Sequence, residues 1–196
     1  MKVIRKIYDG ISGRLWAFKA KRNNFETEYL EEIINCVIDS EDLPKEVEVY
    51  FTNSDFIIEN GPKINTKDSK FASALLEVND RHITSCATSI FDDGKICIFI
   101  SPELIQKEFV QLEDKYPNIN FNDVYTTIKG TIKHEIYHCY QFRYIFDHYG
   151  ADGINKVISN ESNYPYGEGP LERGAIEYSI TNGELKQNFD VVFNLN

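Results

Sequence analysis

Nowhere does this chain string together the ~18–20 apolar residues that a helix needs to cross a bilayer. Behind the early charges Lys2, Arg5 and Lys6 there is also no apolar core of a secretory leader. Neither a membrane span nor a cleaved leader is expected, so the expected compartment is the cytoplasm; leaderless export and carriage in a virion stay open as alternatives. Positive charge is short too. With 21 Lys and Arg against 31 Asp and Glu, the formal net charge is −10, a field that repels phosphate backbones and anionic lipid heads. Nucleic-acid partners are therefore not expected, and the basic cluster "FKAKRNN" reads as a short solvated charge run. Cysteine is scarce. Cys36, Cys86, Cys97 and Cys139 make no C-x-x-C pair and each sits among apolar or strand-forming residues, so buried free thiols are expected rather than disulfides.

Repeats, low-complexity blocks and Pro/Gly/Ser-rich linkers are missing as well. The 196 residues suit one domain, 1–196, large enough to bury its own core. What is present changes period along the chain. In "NNFETEYLEEIINCVIDSEDLP" the apolar residues Phe25, Tyr29, Ile33 and Val37 recur every four, widened by Leu30 and Ile34. This predicts an amphipathic helix capped by Asn24 and ended before Pro44. "EVEVYF" then alternates Val47, Val49 and Phe51 against polar neighbours, as a half-buried strand does. A further short strand is expected at 56–58. "RHITSCATSIFDDGKICIFIS" predicts a hairpin turning at Asp93-Gly94, its second arm apolar at nearly every position. Ser101 and Pro102 open a helix by their capping chemistry, and a long helix runs from about 122 to 146, stopped near Gly150. "GINKVIS" suits a short helix, "NYPYGEGP" a loop, and "LERGAIEYSI" a final helix. Helix, strands, then helices is the order of an α+β fold.

The polar residues concentrate in "TIKHEIYHCYQF", residues 131–142. Four apart on a helix, His134 and His138 have Cβ atoms ~5–6 Å apart on one face. Both imidazoles can therefore approach one ion at ~2.0–2.1 Å. Glu135 projects about 100° round the helix from His134. That direction suits a general base beside a metal-activated water better than a third ligand. The same segment carries an apolar side of its own in Ile128, Ile132, Ile136, Cys139, Phe142 and Phe146.

"TIKHEIYHCY" resembles the extended signature of the zincin metallopeptidases. Thr131 stands three residues before the first histidine, uncharged residues fill positions 132, 136, 137 and 139, and hydrophobic Tyr140 follows. The resemblance is confined to about 95–180. It implies a zincin-like α+β fold, with a small mixed or antiparallel sheet packed on the motif-bearing helix and further helices around it. It also implies zinc (Zn2+) bound by His134 and His138, and hydrolysis of a peptide or protein substrate with Glu135 as general base and proton shuttle. The metzincin pattern asks for Gly at 141 and His at 144, where this chain has Gln141 and Tyr144, so that branch is set aside. The gluzincin pattern draws its third ligand, a glutamate, from a later helix. "PLERGAIEYS" looks like its compact P-x-E-x-x-A form, with Pro170, Glu172 and Ala175. Glu172 is the expected third ligand, ahead of Glu168 in the loop and Glu177 on another helical face. Ala175, one turn on, would let the two helices pack closely.

The same resemblance implies a substrate laid along an edge strand, with "ICIFIS" the candidate, and a second electrophile for the oxyanion. Tyr166 is preferred there over Tyr164, His148 and Arg173. His148 also reads as a cation at a helix end, and His82 as structural or exposed. The alternative reading is a non-catalytic module that holds zinc as a structural clasp, or that binds peptides without cutting them. Four protein ligands would mark the clasp.

Overall fold

The computed structural model describes residues 4–7, 34–41, 43–44, 47–51, 85–91, 93–102, 104–106, 121–165, 167–181 and 188–195. Outside these lie the first part, 24–33, of the helix expected before Pro44, the basic run at 18–24, the strand at 56–58, His82 and Tyr166. The architecture is α+β: a four-stranded mixed sheet with helices packed on it.

Strands β1 (Ile4–Ile7), β2 (Val47–Phe51), β3 (Cys86–Ile90) and β4 (Ile96–Ile100) lie in the order β1-β2-β4-β3. β1 and β2 are parallel, as are β2 and β4; β3 runs antiparallel to β4. β2 keeps the predicted alternation, with Val47, Val49 and Phe51 buried. β3 and β4 form the expected hairpin, and Gly94 in its turn has φ 81°. A Cβ at Gly94 would overlap the ring of Phe146 as well as sit in a left-handed backbone. Gly94→Ala is therefore expected to destabilise the protein by about 1–2 kcal/mol from the backbone alone, read as a lower urea midpoint.

The candidate substrate strand needs correction. "ICIFIS" includes β4, which lies between β2 and β3; among the described residues the sheet edge on this side is β3. β4 is apolar throughout because both its faces are covered. Ile96, Ile98 and Ile100 join the main core, while Cys97 and Phe99 pack on the other face with Leu104, Tyr50 and Phe91.

Helix α1 (Phe121–Glu161) crosses β3 and β4 on the main-core face. Ile128, Ile132, Ile136, Cys139, Phe142 and Ile145 are all buried along it, and burying each large apolar side chain contributes roughly 1.5–3 kcal/mol. Gly150, with φ 61° and ψ −157°, breaks the helix near its predicted stop, but helical structure resumes and reaches Glu161. Only glycine adopts that backbone readily. Helix α2 (Pro170–Ile180) packs on α1, with Ala175 fully buried beside Tyr137 and Tyr178. A short helix, α3 (Phe189–Val192), was not legible in the sequence. Residues 34–40 are helical and bury Ile34, Val37 and Ile38. Ser101 accepts from the N–H of Leu104 at 3.3 Å, as its capping role requires. The cysteines are free; Cys86, Cys97 and Cys139 are buried as expected, but Cys36 lies exposed on the outer face of its helix. No described helix is long and apolar enough to cross a membrane.

Candidate metal centre

His134 and His138 lie one turn apart on α1, with their Nε2 atoms 3.0 Å from each other. Glu172, in the first turn of α2, spans the pair: Oε2 is 3.3 Å from His134 Nε2 and Oε1 is 3.4 Å from His138 Nε2. All three offer a ligand atom within 4.8 Å of the others. Zinc bonds of ~2.0–2.1 Å at tetrahedral angles separate neighbouring ligand atoms by about 3.3 Å. The 3.0 Å between the two histidine nitrogens is close to that spacing, and Glu172 reaches each of them with a different oxygen, at 3.3 and 3.4 Å. Glu172 Oε2 is buried, and its near neighbour is the His134 ring at 3.3 Å, so its charge needs the histidines or a cation held between them for compensation. The donor set fits zinc.

Access is one-sided. The His134 side chain keeps 15% of its surface exposed, against 2% for His138 and 6% for Glu172. Among the described residues no fourth histidine, cysteine or carboxylate completes the group.

Side chains outside the ligand set hold Glu135, His138 and the backbone of Glu172. Thr88, on β3, is paired with Ile98 in register and so faces α1. Its Oγ1 lies 2.7 Å from Glu135 Oε2 and 3.0 Å from the Glu135 carbonyl. Glu135 is buried, and its charge reaches His138. Gln141 places Oε1 2.8 Å from His138 Nδ1 and donates from Nε2 to the Leu171 carbonyl at 3.1 Å. Glu161, at the end of α1, accepts from the backbone N–H groups of Leu171 at 2.8 Å and Glu172 at 3.1 Å. It caps α2 from a distance, because the N-cap residue Gly169 has no side chain to do so. Burial pushes the Glu161 carboxyl up, with those two N–H groups pulling the other way. Sequence reasoning missed Thr88 and Glu161, and used Gln141 only to set one family branch aside.

The remaining candidates separate clearly. Glu168 is exposed and Glu177 half-buried, and neither joins the group. Tyr164 and Arg173 are exposed, Arg173 facing Glu177. His148 is exposed, bonded to the Tyr144 carbonyl at 2.8 Å.

The electrostatics predict how zinc affinity follows pH. Burial lowers the pKa of the His138 ring, but the Glu172 charge and hydrogen bond, with Glu135 and Gln141, outweigh it and lift the value to about 9. Burial raises the Glu172 carboxyl, yet the two histidines outweigh that and hold it well below the usual carboxylate range. In metal-free protein the raised histidine stabilises fully below its unfolded value of ~6.5 and loses this as pH climbs through about 9. The depressed glutamate stabilises above its unfolded value of ~4.3 and loses this as pH falls further. The pair is thus worth most between about pH 4.3 and 6.5. A metal must displace the His138 proton, so zinc affinity is expected to rise about tenfold per pH unit between pH 7 and 9. Competition titrations at three pH values check the slope.

No known protein family, curated protein or solved structure matches this chain.

Proposed function

We propose that the protein is a zinc-dependent peptidase of the gluzincin type, built on a zincin-like frame. The observation that carries the reading is the convergence of His134, His138 and Glu172 from two helices, with Glu135 in the same turn of α1. Held by those three residues, zinc would supply Lewis-acid polarisation of the scissile carbonyl and a lowered pKa for water.

The rest of the chemistry belongs to the chain. Glu135 takes the proton of the attacking water and returns it to the leaving amine. Thr88 donates to Oε2 of Glu135, which holds that carboxylate against β3 and leaves Oε1 to carry the proton. An extended substrate pairs with β3, an edge strand of the described sheet. Tyr166, just ahead of α2 in sequence, is assigned to the oxyanion.

Digestion of a broad peptide library by the purified protein tests the reading. Cleavage products are expected with zinc and are expected to vanish with a chelator. One bound zinc per chain with no cleavage of any peptide would leave the non-catalytic module instead. A zinc-free protein whose melting temperature ignores both metal and chelator would remove the site altogether.

A further inference from the structure

Gln141 has no exposed surface and lies between the two helices that deliver the ligands. Its amide nitrogen can only donate, and it is committed to the carbonyl of Leu171. The atom facing His138 must then be the oxygen, which accepts, so Nδ1 of His138 must be the donor. In the neutral ring this leaves the lone pair on Nε2, the atom 3.0 Å from His134 Nε2 and 3.4 Å from Glu172 Oε1. A chain of two hydrogen bonds thus runs from the ring to the residue before Glu172.

We infer that Gln141 is a positioning residue for the metal centre: it holds His138 in the orientation that presents Nε2 and couples that choice to the helix bearing Glu172. The inference rests on the zinc reading above. Buried carboxylates commonly do this work for metal-binding histidines. Here a carboxylate would set its second oxygen against the carbonyl oxygen of Leu171 and add charge beside Glu135, Glu161 and Glu172. Unlike an ionised carboxylate, an amide accepts from the ring and donates to the carbonyl at once. The residue that departs from the metzincin pattern therefore has its own task.

The test compares zinc affinity in the parent, Gln141→Glu and Gln141→Met by competition with a chromophoric chelator. Both substitutions break the bond to Leu171, but only glutamate keeps an acceptor for His138 Nδ1–H. Zinc binding is expected to weaken 10- to 100-fold in Gln141→Met and only a few-fold in Gln141→Glu. No loss in Gln141→Met, or equal losses in both, overturns the inference, because a role limited to joining the helices would affect them alike. The His138 ring is also followed by 1H–15N spectra of the zinc-free proteins. A sheltered Nδ1–H signal is expected in the parent and Gln141→Glu, and a shifted or exchange-broadened one in Gln141→Met. Identical ring spectra in all three overturn the inference. A parent that takes up no zinc removes the zinc reading, while the ring spectra still decide whether Gln141 orients His138. If Gln141→Met does not fold, Gln141→Asn, whose shorter amide withdraws from both partners, is judged by the same criteria.

Discussion

Glu135→Gln is expected to lower peptide hydrolysis on the order of 10²–10⁴-fold while zinc binding and fold survive. The amide keeps the shape of the carboxylate and an oxygen that accepts from Thr88, which otherwise lies 2.7 Å from Oε2. It cannot take a proton from water at neutral pH. The effect should fall on kcat, with KM changed little, because the lost interaction exists only as the proton moves. Metal analysis and a melting curve on the same sample separate this from misfolding. Residual activity within a few-fold of the parent would assign the proton transfer to another group.

Gly169→Ala should be the most damaging small substitution outside the ligands. The backbone there, φ −70° and ψ 160°, suits alanine, so the damage is steric. A new Cβ would overlap the Glu161 carboxylate, which accepts from the N–H groups of Leu171 and Glu172. Moving that carboxylate breaks two hydrogen bonds to a charged group, each worth about 1.5–3 kcal/mol. The expected cost is roughly 3 kcal/mol in stability, with zinc bound 10- to 100-fold more weakly because Glu172 loses its anchor. A double-mutant cycle makes the cause visible. In a Glu161→Ala background the overlap disappears, so Gly169→Ala should then cost less than 1 kcal/mol. Additive losses would place the damage elsewhere.

What could be read from the sequence was local. The four-residue spacing of His134 and His138, the Asp93-Gly94 hairpin, the alternation of β2 and the helical period after Pro170 each lie within a few neighbouring residues. The partners of the site are not local. Thr88 and Glu135 are 47 positions apart, and no periodicity links a threonine in one strand to a carboxylate on a helix. Glu161 reaches α2 across a loop whose course only the fold determines. Gln141 did carry a signal, since a residue three beyond His138 shares its helical face. The edge strand was misread against its own composition. An unbroken "ICIFI" describes a strand covered on both faces, and in the sheet it lies between two others. β1 pairs in parallel with β2, Ile4 opposite Glu48, a contact between distant segments that sequence alone does not announce.

The break at Gly150 gives α1 the geometry of a bracket. One arm carries His134 and His138; the other ends on the carboxylate that anchors Glu172. Glu161 is the eleventh residue after Gly150, at the tip of a helical arm of about 16 Å. A change of 10° at the elbow would sweep its tip through about 3 Å, the full length of the hydrogen bonds made there. The reach from Glu172 to the two histidines is therefore sensitive to the backbone of a residue with no side chain, twelve positions beyond His138.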